Sequence, residues 1–157
     1  MGKYPTTPAT LFLDEKDVEY TKHYYDYKKS GAALAAKSMK LDPSSVIKTL
    51  VMEDDENCPL LMLMHADREV SLKELARELD KRNISTCNIR DAQRYTGYRV
   101  GGISPFGTRR ELPIYMEHSI LDLPYIYING GRRGFILGMS PKTIIKTLKV
   151  TVVKASR

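Results

Sequence analysis

The sequence predicts an α/β (α+β) fold: a mixed β-sheet, curled or partly closed, flanked by helices. Three observations carry this. Runs rich in β-branched and aromatic residues interleave with stretches that open on a helix cap. Some successive strands are separated only by a short polar turn, which makes hairpins and argues against a purely parallel sheet. The 157 residues, 42% hydrophobic and 28% charged, suit one domain spanning 1–157 with its own core.

The first helix is expected over Thr7–Asp17. Thr7 can cap it, Pro8 fits the first turn, and Leu11, Phe12 and Leu13 supply apolar surface. Val18–Tyr27 reads as a strand, and Ser30 precedes an alanine-rich helix over Gly31–Lys40. Val46–Glu53 reads as a strand that turns through Glu53-Asp54-Asp55-Glu56-Asn57 and returns over Leu60–Ala66. Ser71-Leu72-Lys73-Glu74 is a capping box that opens a helix to about Lys81. Ile84–Ile89 reads as a short strand and Arg90–Tyr95 as one or two helical turns. Leu112–Glu117, Tyr125–Asn129 and Gly134–Met139 read as strands. Ser140-Pro141 caps a last helix to about Leu148, and Val150–Val153 closes the chain with a strand. No repeat, low-complexity tract or long linker divides the chain.

The net charge of +6 favours acidic partners, nucleic acid first among them. Arg90, Arg94, Arg99, Arg109 and Arg110 fall within 90–110 against Asp91 alone, and Arg132 and Arg133 form a second pair beside glycines. Guanidinium forks suit phosphate oxygens, although such residues also serve as ordinary solvated surface. No apolar run approaches the ~20 residues of a membrane helix. Met1–Thr7 lacks the apolar core of a signal peptide, so a cytoplasmic protein without a membrane partner is expected. Cys58 and Cys87 match no metal spacing and read as free thiols, and no metal or cofactor is expected.

Thr96-Gly97-Tyr98-Arg99-Val100-Gly101-Gly102-Ile103-Ser104-Pro105-Phe106-Gly107 is the most informative stretch. Paired glycines let backbone approach a ligand with its N–H groups turned toward it, and the proline fixes the loop's shape. A plain tight turn uses the same residues. The stretch is neither a Walker loop, lacking Gly-Lys-Ser/Thr, nor a dinucleotide fingerprint, whose glycine spacing differs. Lys48 is the second marker. On a strand it shares a face with Val46, Leu50 and Met52, so it either snorkels to water or sits in a pocket with a partner. Ile-Lys-Thr-Leu recurs at 145–148, but on a helix, so Lys146 is not its equivalent. A third element, Asn129-Gly130-Gly131-Arg132-Arg133-Gly134, reads as a hairpin turn whose asparagine offers both a donor and an acceptor.

The residues carry no nucleophile motif. His23, His65 and His118 are scattered, Ser104 precedes a proline rather than standing in a Gly-x-Ser-x-Gly elbow, and neither cysteine has an activating neighbour. An enzyme built from these residues works by positioning and electrostatics.

Taken together, Thr7-Pro8-Ala9, Val46-Ile47-Lys48-Thr49-Leu50-Val51, the 96–107 stretch and 129–134 resemble, in order and over nearly the whole chain, the YbaK/EbsC family of aminoacyl-tRNA editing proteins. The resemblance implies removal of a wrong amino acid from tRNA, most plainly cysteine from Cys-tRNA(Pro). It implies that Lys48 is the lysine of the editing pocket, with Thr49 beside it. Gly101–Pro105 then matches the family's Gly-x-x-x-Pro loop, with Gly101 and Gly102 offering N–H groups to an oxyanion. Ile103, Ser104, Pro105, Asn129, Gly130 and Gly131 line the pocket, and Tyr25 falls at the family's pocket tyrosine. Arg94, Arg99, Arg109, Arg132 and Arg133 are the matching candidates for tRNA phosphates. The implied partners are the aminoacylated end of tRNA and prolyl-tRNA synthetase. Asn129 departs from the serine, and Ile136 from the acidic residue, common at these positions, which bears on the amino acid removed. Two rivals stay open: an editor of alanine or another small amino acid that uses water, and a non-catalytic tRNA- or synthetase-binding module.

Overall fold

A computed structural model describes residues 4–25, 36, 37 and 39–157. Helix α1, Pro8–Glu15, starts on a capping box: the Thr7 hydroxyl accepts the Thr10 N–H while the Thr10 hydroxyl accepts the Thr7 N–H. Strand β1 is Thr21–Tyr24, and the Tyr25 N–H continues its ladder to the Gly134 carbonyl at 2.9 Å. Residues 26 and 27 of the expected 18–27 strand, and 31–35 and 38 of the expected 31–40 helix, lie outside the described residues; 36 and 37 are helical and 39 and 40 form a turn.

Strands β2, Val46–Asp54, and β3, Pro59–His65, form the expected hairpin across the acidic turn. Helix α2, Leu72–Leu79, is capped by Ser71, whose hydroxyl accepts the Glu74 N–H, and it ends on Asp80 in the left-handed region at φ 56. Strand β4 is only Ile84–Thr86, shorter than expected. Asn88, unnoticed as a cap, accepts the Asp91 N–H at 2.8 Å and starts helix α3 at Ile89, carrying it to Thr96. Strand β5, Ile114–Glu117, begins after Pro113, which has no N–H to give to the ladder. Strands β6, Ile126–Arg132, and β7, Phe135–Met139, form a hairpin with a register shift between Asn129 and Arg132. Helix α4, Pro141–Thr147, and strand β8, Val150–Val153, follow as expected.

The eight strands make one mixed, open sheet in the order β1-β7-β6-β2-β3-β5-β8, with β4 also paired to β2. The β2/β6, β3/β5 and β5/β8 pairs are parallel and the others antiparallel. Alternation along β2 splits the core in two. Ile47 and Val51 join Leu61, Leu63, Ile128 and Phe135 beneath α1. Leu50 and Met52 join Met62, Met64 and Leu75 beneath α2. None of the helices found among the described residues is long and apolar enough to cross a membrane.

The β2–β3 turn closes on a buried carboxylate. Asp54 accepts the Glu56 and Cys58 N–H groups at 2.8 and 3.0 Å, and the Lys81 ammonium lies 3.4 Å away. Burial pushes the Asp54 carboxyl up, but the two N–H bonds and Lys81 outweigh it and hold the group below the usual carboxylate range. A depressed folded-state value means that this stability is fully present above the ordinary carboxylate range and drains as pH falls through the folded value. In urea titrations, Asp54→Asn should therefore cost stability near pH 7, and the cost should shrink only as pH falls below the ordinary carboxylate range of about 4, where the parent carboxyl takes up its proton.

Candidate functional site

The glycine-rich stretch leaves α3 at Gly97, in the left-handed region at φ 79. Thr96 ties off the helix: its hydroxyl donates to the Ala92 carbonyl and accepts the Tyr98 N–H. Tyr98 is 4% exposed, and its hydroxyl donates to the Phe106 carbonyl at 2.5 Å, which closes the two ends of the loop on each other. Burial raises the Tyr98 phenol well above its ordinary value, so it stays a neutral donor. Ser104 is fully buried, with its hydroxyl accepting the Phe106 N–H, and Pro105 is buried beside it, so both side chains serve the loop's interior. Ile103 packs half-buried on the main core.

The two paired glycines differ in what they offer. The Gly102 N–H donates to the Arg99 carbonyl at 2.9 Å within the loop's own turn. A Cβ there would sit 2.9 Å from the Arg132 backbone. The expectation of two available N–H groups is thus corrected to one. Gly102 permits close approach of two backbones, whereas the Gly101 N–H has no acceptor among the described residues.

The second glycine cluster packs on the first. Asn129 bridges them, its amide nitrogen donating to the Gly101 carbonyl at 2.8 Å and its amide oxygen accepting the Gly131 N–H at 3.3 Å. Gly131 adopts φ 97, and a Cβ there would meet the Tyr98 ring at 2.7 Å and Thr7 at 3.2 Å. The Thr7 hydroxyl donates to the Gly130 carbonyl at 2.6 Å. Three segments far apart in sequence therefore meet at one point. Arg133 runs alongside Gly101, its side chain coming within 3.0 Å of where a Cβ would stand.

The strand that carries Lys48 joins this cluster through the sheet. Val46 pairs with Tyr127 and Ile47 with Ile128, and the β2/β6 pairing ends there, one residue short of Lys48 on β2 and of Asn129 on β6. Asn129 pairs with Ile136, and Ile136 with His23, so His23, Ile136 and Asn129 form one row across β1, β7 and β6. Tyr25 extends the β1 ladder beyond His23 by one bond. Burial lowers the His23 pKa, which keeps its imidazole neutral, and its Nε2 lies 2.7 Å from the Thr21 hydroxyl. Lys48 takes the pocket-with-partner option: its ammonium is 3.8 Å from Glu69 and its side chain is 20% exposed. Glu69 escaped the sequence reading because no strand register or cap singles it out. Thr49 points to the opposite face from Lys48, so the two adjacent residues do not share a pocket wall. Its hydroxyl is buried and finds no partner among the described residues.

The arginines fall into two groups. Arg99, Arg132 and Arg133 surround Gly101 and Gly102. Arg94 and Arg110 lie over the Tyr95 ring, at 4.9 and 5.2 Å, while Arg109 packs on Gly97. Arg94 pairs with Asp91 at 2.9 Å and keeps its side chain 63% exposed. Other reactive groups are occupied or remote. Both His65 ring nitrogens are hydrogen-bonded, to Ser44 and Ser119, and burial with nearby Glu53 and Asp91 pushes the Cys87 thiol up. The described residues contain no group of three or more His, Cys, Asp or Glu able to hold a metal ion.

Residues 28–147 match the model of the aminoacyl-tRNA editing domain, and the chain belongs to that family. It is 24% identical over 141 residues to a candidate Cys-tRNA(Pro)/Cys-tRNA(Cys) deacylase, EbsC, of Enterococcus faecalis, covering 88% of this chain and 86% of the relative. A proline–tRNA ligase of Limosilactobacillus reuteri is 32% identical over 90 residues, which is 55% of this chain and 16% of the ligase's own length. The structure also superposes on a candidate trans-editing enzyme for prolyl-tRNA synthetase with a TM-score of 0.82 at 18% identity, covering 95% of this chain and 92% of that one. The YbaK/EbsC resemblance, and with it an aminoacyl-tRNA deacylase acting in translational proofreading, follows from these matches.

Gly131→Ala tests the meeting point. The left-handed backbone and the Tyr98 ring together leave no room for a methyl group, so the substitution should lower unfolding free energy by about 1–3 kcal/mol in urea titrations.

Proposed function

We propose that this chain deacylates mischarged Cys-tRNA(Pro) by substrate-assisted chemistry, as a single domain working in the cytoplasm. An aminoacyl ester is already activated, so the protein need not supply a nucleophile. The thiol of the esterified cysteine attacks its own carbonyl carbon. A carbon–sulfur bond forms, the ester carbon–oxygen bond breaks, and the leaving ribose oxygen takes the proton given up by the thiol. A thiolactone and free tRNA result, which makes the step an intramolecular transfer rather than a direct hydrolysis.

The observation that supports this reading best is the Asn129 bridge to Gly101, with Asn129 on β6, the strand that pairs with Val46 and Ile47 just before Lys48. In the proposed complex, the Gly101 N–H faces the oxygen on which charge develops, and Gly102 sets the loop's approach to Arg132. Lys48 anchors the terminal phosphate or ribose, or fixes the ester. Tyr25, Asn129, Gly130, Gly131 and Ile103 are assigned to the wall around the amino acid, while Thr49, on the opposite face of β2, is left out of it. Ser104 and Pro105 act through the shape of the loop. Arg99, Arg109, Arg132 and Arg133 contact phosphates, which gives affinity without sequence reading. Selectivity for tRNA(Pro) comes from a complex with prolyl-tRNA synthetase, a reading supported by the similar segment within a proline–tRNA ligase.

The test uses tRNA(Pro) charged with cysteine, alanine or S-methylcysteine. Cysteine should be released, and Lys48→Ala should slow its release by about 100-fold or more, as the loss of a transition-state contact does. The S-methyl ester should persist. Equal release of the S-methyl or alanyl ester would assign the attack to water and the protein to the small-amino-acid editors. Retention of tRNA with no turnover of any mischarged form would leave a binding module.

A further inference from the structure

The face of β2 that carries Lys48 continues into a groove of about 470 Å³, within the ~300–1,000 Å³ usual for small-ligand sites. Its floor is apolar, made by Leu50, Met52 and the 39%-exposed Leu72. Its rim carries the side chains of Lys48, Lys73 and Arg157, and Glu69 is the one acidic side chain among the lining residues. The rim is held in place by backbone bonds: the Ser71 N–H donates to the Ala155 carbonyl at 2.7 Å and the Arg157 N–H to the Glu69 carbonyl at 2.9 Å. Glu69 is itself 74% exposed, so its contact with the Lys48 ammonium at 3.8 Å is a weak, solvent-screened pair.

An apolar floor under a cationic rim suits one nucleotide of a single strand: a base lies against the floor and a phosphodiester meets the rim. We propose that this groove is a nucleotide subsite for the unpaired 3′ end of tRNA, next to the aminoacylated nucleotide, in which Lys73 and Arg157 take the phosphate. Glu69 occupies the Lys48 ammonium until that phosphate displaces it. The inference rests on the reading that Lys48 holds the aminoacylated end. It adds Lys73, Arg157 and Glu69, none of which belongs to the glycine loops or the arginine groups around them.

The test measures equilibrium binding of uncharged tRNA(Pro) against salt. Lys73→Ala and Arg157→Ala should each lower the slope of log K against log salt by about 0.7, the value for one single-strand phosphate contact. Lys73→Arg, which keeps the charge, should restore it. Glu69→Gln should tighten binding several-fold at low salt, because Lys48 no longer has a carboxylate to leave. With tRNA trimmed of its unpaired 3′ nucleotides, parent and variants should bind alike. Unchanged slopes would overturn the subsite, as would an equal loss with trimmed tRNA, which would put the contacts on the stem. Binding of uncharged tRNA requires no turnover, so a failure of the deacylation reading and a failure of the subsite show up in different measurements.

Discussion

The contact of Gly131 with the Tyr98 ring is the constraint on which the site depends. A side chain at 131 would meet that ring at 2.7 Å, and the left-handed backbone there excludes most residues in any case. With glycine in place, the β6–β7 hairpin lies directly on the loop after α3. Asn129 can then span from one to the other, and Thr7 can reach the Gly130 carbonyl from the start of α1. Tyr98 fixes the loop from inside by closing on Phe106. None of these contacts is strong alone. Together they hold the turn of backbone in one conformation, which is the preorganisation that the proposed electrostatic stabilisation needs.

The chemistry in view follows from what the chain does not have to provide. An ester between an amino acid and a ribose is reactive without help, and the histidines and cysteines here are buried, hydrogen-bonded or away from the cluster. In the proposed reaction the protein's contribution is a fixed N–H, a half-buried ammonium and a wall that holds one conformer of the substrate. Lys48 suits that part because its pairing with Glu69 is loose and open to water. A tight buried pair would cost a substrate phosphate more to displace.

Much of this was legible in the sequence because it is written locally. Thr7, Ser71 and Ser140 announced three helices, and the acidic 53–57 turn announced a hairpin. The alternation that set Lys48 beside Leu50 and Met52 held. The same rule set Thr49 on the other face, so its placement beside Lys48 in one pocket, drawn from family likeness, does not hold for the side chains. The hydrogen bond that occupies the Gly102 N–H was not legible, because a glycine pair says only that backbone can bend, not where its donors go. The parallel pairs β2/β6, β3/β5 and β5/β8 were hidden for a related reason: they join strands with long intervening segments, and no local pattern records the partner. Asn88 was overlooked because Asp91, rather than Glu or Gln, stands three residues on, so no capping box marks the start of its short helix.

The central claim is that Lys48 and the Gly101 amide face one ligand from adjacent parts of the same cluster. A crystal structure with a stable aminoacyl-adenosine analogue, its ester replaced by an amide, examines this directly. The account predicts the analogue's carbonyl oxygen at about 2.7–3.1 Å from the Gly101 nitrogen, with Lys48 turned from Glu69 toward the ribose or phosphate. An analogue bound elsewhere, such as in the groove beside Tyr125 and Lys142, with the Lys48–Glu69 contact intact, would contradict it.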